Sequence, residues 1–292
     1  MTPSPAVLVA LPGPIARTET FIAAHVAQLP YRTTLVGGLS PEINGRPVLR
    51  LSPFCPETIW HVARGWQAGI RGQRGPVWWL KQTAFLKLLK QLRPAAVLAE
   101  YGQTGVWMTR PCAITNTPLV VHFHGVDASQ QAYLDEYAAA YRPMVAQAAA
   151  IITVSQPMKE ALLALGSPPN RTHLSPCGVD TEAFSGGAPA AAAPHFLAVG
   201  RFVEKKSPHL TILAFLRGSE GCDAARLTMI GEGPLLGPCR DLVKALGAAE
   251  KVAFVGPQPP EDIRAALRSS RGFLQHSVRA ADGDQEGTPV GI

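Results

Sequence analysis

Three stretches in the second half of this sequence carry side chains able to handle an anion or a set of hydroxyl groups. In "VGRFVEKKS" an apolar run ends at a glycine, and Arg201 follows, with Lys206 five residues later. Such a pair can grip an anion, arginine as a bidentate fork and lysine as a point charge. The plainer alternative is a solvated basic turn. In "MIGEGPL" Gly231 and Gly233 flank Glu232 ahead of a helical pattern. A turn of this kind lets backbone N–H groups approach a phosphate or a base, although Gly-x-Gly alone is weak evidence. In "DGDQEGTPVGI" Glu286 precedes Gly287, Thr288 and Pro289. Thr288 suits an N-cap and Pro289 the first helical position, so a helix is expected to begin there. Its free N–H groups would face an anion or hydroxyls, and the Glu286 carboxylate would accept hydrogen bonds from those hydroxyls.

The elements that must hold these residues are legible in the hydrophobic pattern. Short apolar runs alternate with stretches of helical period: "AVLVAL" (6–11), "AAVLAE" (95–100), "LVVHFH" (119–124) and "AIITVS" (150–155), each followed by a helix-like segment. That alternation predicts a parallel sheet with helices on both faces. The rhythm breaks at "FSGGAPAAAAP" (184–194), a small-residue, proline-containing linker. It restarts with "HFLAVG" (195–200), a helix from about Ser207, "RLTMIG" (226–231), "KVAFVG" (251–256) and "GFLQH" (272–276). The expected organisation is an N-terminal Rossmann-like domain at 1–185, a linker at 186–194 and a partial second Rossmann-like domain at 195–292. All three stretches then fall at strand ends, where open α/β sheets bind ligands.

Composition narrows the class. The chain has 292 residues, 47% hydrophobic and 16% charged, which suits two globular domains and excludes a disordered chain. A formal charge of +6 and a pI of about 9.2 favour anionic partners without choosing among them. The opening "MTPSPAVLVALPG" lacks a basic n-region and a long apolar core, and no window reaches the roughly 20 apolar residues of a membrane span. Five scattered cysteines with no Cys-x-x-Cys pair argue against zinc and against a disulfide framework. The expected compartment is the cytoplasm.

In this order and spacing the stretches resemble family 4 of the glycosyltransferases, retaining enzymes of the two-Rossmann type called GT-B. The first half agrees: "ARTETFI" (16–22) is similar to that family's first-helix segment, "HFHGVDAS" (122–129) to its His-Gly-x-Asp strand end, and "LSPCGVDTEAF" (174–184) to its Asn-Gly-Val-Asp-x-x-x-Phe segment. Cys177 replaces the usual Asn, and Ser207 stands where the family commonly has Gly after the lysine. The family signature is Glu, seven residues, Glu. Glu286 supplies the first, and the second would fall two residues beyond Ile292, so the sequence is expected to be cut inside its own donor site and poorly active as it stands.

The resemblance implies transfer of a sugar from a nucleotide diphosphate sugar, with two domains facing a cleft and the second incomplete. Arg201 and Lys206 would offset charge on the leaving diphosphate, with Gly231 and Gly233 beside it. Glu286, helped by Gly287 and Thr288, would orient the donor sugar. His124 would face the reaction centre from the first domain. His122 is expected on the opposite side of the strand, in an ordinary structural role. No metal is expected: Asp282 and Asp284 form an Asp-x-Asp that reads as an acidic loop. No cofactor beyond the nucleotide sugar co-substrate is implied, and no nucleic-acid reader motif is present.

The acceptor would be a glycan or a lipid-linked molecule. Residues 60–93 hold seven Lys or Arg, no Asp or Glu, and four of the five tryptophans (Trp60, Trp66, Trp78, Trp79). That composition suits the headgroup zone of an anionic membrane. Core-packed helices are the alternative, since Phe85, Leu88, Leu89 and Leu92 form one stripe with Thr83, Lys87 and Lys90 opposite. Rival functions are a nucleotide-sugar epimerase of the same architecture, or a non-catalytic sugar-nucleotide-binding protein.

Overall fold

A computed structural model of the chain describes residues 6–13, 19–37, 42–43, 46–47 and 76–289. It divides into two compact units, Met1–Pro176 and Cys177–Ile292. The division falls nine residues before the expected end of the first domain. Arg268 explains the difference: its guanidinium donates to the carbonyls of Ser185 and Ala183, and Arg264 lies over the Phe184 ring. Those contacts tie the segment ahead of the linker to the second unit.

In the first unit, strands β1 (Ala6–Leu11), β2 (Arg32–Gly37), β5 (Ala96–Glu100), β6 (Leu119–Phe123), β7 (Ala150–Thr153) and β8 (Thr172–Leu174) form one sheet. A short antiparallel ribbon, β3 (Glu42–Ile43) with β4 (Arg46–Pro47), forms a second sheet of its own. The sheet order is β2-β1-β5-β6-β7-β8, with every pairing parallel. Its central strands are apolar on both faces, because helices cover both: Leu8, Val9, Val97, Ala99, Val121 and Phe123 are all fully buried. The order reverses between β1 and β5, and ligands of open α/β sheets bind outside the carboxyl ends of the strands at such a switch. Glu100 ends β5, and His124 follows the end of β6.

In the second unit, β9 (His195–Val199), β10 (Arg226–Ile230), β11 (Val252–Gly256) and β12 (Gly272–Phe273) form a parallel sheet in the order β11-β10-β9-β12. Helices Pro208–Gly218, Leu236–Ala245 and Pro260–Ser269 separate the strands. Phe202, Ile212, Phe215, Leu227, Met229 and Val243 make the core. Here the switch lies between β9 and β12. The last strand is shorter than its apolar run implied, pairing only at Gly272 and Phe273.

Two further expectations meet the structure here. No helix forms over Thr288 and Pro289. Within helix Pro76–Leu92, Phe85, Leu88 and Leu89 are buried while Lys87 and Lys90 are exposed, so this stripe serves the core. The tryptophans of the proposed membrane contact lie outside the described residues or side chains. Among the described residues no helix is long and apolar enough to cross a membrane.

Candidate functional site

Both switch points carry polar constellations. In the first unit the centre is Glu100, whose side chain has no solvent exposure. His25, on helix Thr20–Gln28, places Nδ1 2.8 Å from Oε1, and His124 places Nε2 2.6 Å from Oε2. His122 Nδ1 lies 3.5 Å from the same Oε2. The rings form a packed group, with His122 and His124 at 4.1 Å between centroids and His25 and His122 at 5.0 Å. His122 therefore shares a side with His124, contrary to the expectation from the sequence. Residues two apart on a strand face the same way, because the side-chain period is two.

Electrostatics follow from this packing. Burial alone would push the Glu100 carboxyl up. Hydrogen bonds from His124 and His25 outweigh burial and bring it down to about 2. Burial, reinforced by the neighbouring His124, pushes His122 down to about 3, so it is neutral at physiological pH. Asp127 organises the turn after β6. Its buried carboxylate accepts from the backbone N–H of Gly102 (2.9 Å), His124 (3.1 Å) and Gly125 (3.0 Å). Gly125 takes φ 146°, which only glycine adopts readily. Burial raises the Asp127 carboxyl above its usual range. Tyr101 donates to Glu19 at 2.5 Å; burial, then that contact, raises its phenol.

In the second unit Arg201 and Lys206 line a pocket at the β9/β12 switch, with Gly200, Met229, Gln275 and His276 among their neighbours. Arg201 is exposed, and its guanidinium makes no hydrogen bond or ion pair with the described residues. Lys206 Nζ is 3.1 Å from Glu286 Oε2. Two of the cations and carboxylates singled out in the sequence thus meet across 80 residues of chain. Sequence reasoning passed over Lys205, which is 7% exposed. Its Nζ lies 3.1 Å from Asp284 Oδ1 and 3.8 Å from Glu286 Oε1. The acidic loop is docked on the Glu204–Lys206 turn by backbone as well, through Val278 N–H to Lys205 O and Ala281 N–H to Glu204 Oε1. Asp284 is therefore a counter-ion to a buried lysine. Gly287 and Thr288 continue the loop without regular secondary structure.

The glycines serve close backbone approach. Gly231 has φ 137° and Gly233 φ 149°. A Cβ at Gly231 would lie 2.0 Å from the Gly200 carbonyl oxygen, and one at Gly233 2.5 Å from that of Phe202. The Gly231 N–H is already donated to Gly256 O. Ser207 adopts φ 41°, ψ 56°, the left-handed region, and its hydroxyl donates to Glu204 O. That conformation accounts for the glycine common at this position in the family it resembles.

Of the residues in this cluster, only His124 was singled out from the sequence as a site residue. Glu100 had a signal: a carboxylate closing an otherwise apolar strand beside a switch point. His25 had none, since one histidine on an apolar helix face is usually core.

Residues 21–183 match the family model described as Glycosyltransferase Family 4, and residues 181–291 that described as Glycosyl transferases group 1. The putative colanic acid biosynthesis glycosyltransferase WcaL of Escherichia coli (strain K12) is 29% identical over 204 residues, covering 68% of this chain and 50% of that protein. The chain thus spans about half the length of the curated relatives it matches. Among solved structures, sucrose-phosphate synthase from Thermosynechococcus elongatus aligns over 95% of this chain and 76% of its own, with TM-score 0.65 and 17% identity. HepE of Anabaena, in complex with UDP, aligns over 89% of this chain and 71% of its own, with TM-score 0.60 and 15% identity. At these identities the structural likeness establishes the α/β fold with parallel sheets.

Proposed function

Because the chain belongs to glycosyltransferase family 4, we propose that it moves a sugar from a nucleoside diphosphate sugar to a glycan or lipid-linked acceptor with retention of configuration. One observation carries the reading: Arg201 and Lys206 line a pocket at the β9/β12 switch, and Glu286 is held on Lys206. In the reaction the bond from the anomeric carbon to the diphosphate oxygen breaks, and the acceptor oxygen forms the new bond on the same face. The acceptor proton passes to the departing diphosphate. Charge grows on that leaving group, and fixed cations aimed at it stabilise the transition state by several kcal/mol in typical cases. Among the described residues Arg201 has no partner to give up, so it is the first grip. Lys206 must share itself between the diphosphate and Glu286, which keeps the carboxylate beside the donor sugar to orient its hydroxyls. Gly231 and Gly233 keep the strand ends close around the pocket, and Gly287 and Thr288 carry Glu286. In the first unit, His124 is the residue read as facing a substrate.

The clamp is cationic protein, so the reading needs no metal or other cofactor, and Asp282 and Asp284 are structural. UDP-sugars are the first donors to test, since UDP is bound in one of the solved neighbours. The same reading keeps the protein in the cytoplasm, with residues 60–93 against the anionic inner face of the membrane. Thermal melting across a panel of nucleotide sugars, in EDTA, tests the reading. One donor class should raise Tm by mass action while the others leave it unchanged. A flat panel would refute it. Isomerised sugar appearing without any acceptor would favour an epimerase, and donor binding with no transfer a non-catalytic binding protein.

A further inference from the structure

A carboxylate cut off from water needs partners, and among the described residues Glu100 draws its charged partners from imidazoles alone. An ionised carboxylate only accepts hydrogen bonds. The ring nitrogens at contact distance must then carry the protons: His124 donates Nε2–H to Oε2 at 2.6 Å, and His25 donates Nδ1–H to Oε1 at 2.8 Å. Each oxygen is held from a different element, so the carboxylate has one orientation.

The other nitrogen of His124 is the informative atom. The side chain is 4% exposed, and Nδ1 is buried with no hydrogen-bond partner among the described residues. A buried polar atom left unmatched costs about 1–3 kcal/mol, unless its partner arrives with a ligand. Everything else about the ring is fixed. Phe21 lies over it at 4.3 Å between centroids, Tyr101 meets it edge-on at 4.9 Å and His122 lies at 4.1 Å. Its backbone N–H is held by Asp127. Tyr101 reaches its place through φ 69°, a region that costs a non-glycine residue free energy and that clusters at working sites.

We propose that Glu100 is a positioning residue for His124: it accepts the hydrogen bond from Nε2–H, fixes the ring in that tautomer, and leaves the Nδ1 lone pair to accept a hydrogen bond from a hydroxyl of the bound substrate. The inference rests on the reading of His124 as the ligand-facing residue of the first unit. His25 acts as the brace that stops the carboxylate from turning. A metal ion is the competing occupant, because ligand atoms of His25, Glu100 and His122 lie within 4.8 Å of one another. Those ligand atoms are already turned on one another, with His25 Nδ1 2.8 Å from Glu100 Oε1 and His122 Nδ1 3.5 Å from Oε2.

The test is the imidazole nitrogen spectrum of histidine-labelled protein by long-range 1H–15N correlation, for wild type and Glu100→Gln. In the wild type His124 should carry its proton on Nε2 with Nδ1 bare. A glutamine amide offers one acceptor oxygen and an NH2 that seeks a lone pair, so Glu100→Gln should shift His124 partly or wholly to the Nδ1–H form. Transfer should lose about tenfold to a hundredfold in kcat, the order expected for one misplaced hydrogen bond, with donor KM unchanged. Glu100→Asp, which keeps the charge, should restore part of the Nε2–H population. Nδ1 protonated in the wild type, or the same tautomer in both proteins, would overturn the proposal. If Glu100→Gln fails to fold, the wild-type spectrum alone decides. A saturable response of His25, His122 and His124 together to added Zn2+ would overturn it in favour of a metal site. Absence of transfer by the wild type would count against the proposed function, while the tautomer result would still stand.

Discussion

Replacing His122 with glutamine removes a group whose burial makes the fold sensitive to acid, and the size of the effect follows from the structure. The folded protein holds His122 near 3 against a usual 6.5. Between those values the unfolded chain binds a proton that the folded chain does not, so stability falls as pH falls. The loss begins near pH 6.5 and is complete below pH 3, with a ceiling of about 5 kcal/mol from a pKa difference of about 3.5. Between pH 7 and pH 5 the same linkage gives about 2 kcal/mol. Glu100, held to about 2 against 4.5, has its folded value depressed. Its contribution is present above pH 4.5 and disappears as pH falls toward 2, so it adds little in the upper window. Urea denaturation of wild type and His122→Gln at pH 7 and pH 5 isolates the term. The wild type should lose about 2 kcal/mol more than the variant over that interval, whatever the variant loses at pH 7. Losses that agree within about 0.5 kcal/mol would show that His122 is not buried neutral.

Gly231→Ala must push a Cβ into the Gly200 carbonyl at φ 137°. It should cost on the order of 3 kcal/mol in chemical denaturation; a cost under 1 kcal/mol would mean the strand ends are not so close. Ser207→Gly relieves a left-handed serine but gives up its hydrogen bond to Glu204 and stiffness in the unfolded chain. It should be neutral to about 1 kcal/mol stabilising by the same measurement, and clear destabilisation would refute the strain. Binding to vesicles containing phosphatidylglycerol should weaken steadily with salt if residues 60–93 meet anionic lipid. Equal binding to neutral vesicles, or none at low salt, would leave that stretch to core packing and a soluble acceptor.

The sheet-and-helix alternation was legible because parallel strands buried on both faces read as apolar runs. β2 was missed, since "RTTLVG" is half polar at a sheet edge, and β8 has only three residues. Arg201, Lys206 and Glu286 were legible because glycine turns and charges close apolar runs at predictable places. Their contact was not, because an ion pair across 80 residues leaves no local pattern. The same holds for His25 and Glu100, 75 residues apart. Lys205 looked like a second solvated lysine, and only the docked loop reveals that Asp284 and Glu286 compensate its burial. The misplacement of His122 was a failure of reasoning, since strand periodicity already put it beside His124. The domain boundary was drawn from composition, whereas the structure sets it by where Arg264 and Arg268 reach back.

The central claim is that the switch point of the second unit grips a nucleoside diphosphate through Arg201 and Lys206. Isothermal titration with the nucleoside diphosphate selected by the melting panel, UDP first, tests it most directly in wild type, Arg201→Ala and Lys206→Ala. Each substitution should weaken Kd by on the order of a hundredfold, about 2.7 kcal/mol, with melting temperature nearly unchanged. Wild-type affinity retained within a factor of a few in both variants would contradict the claim.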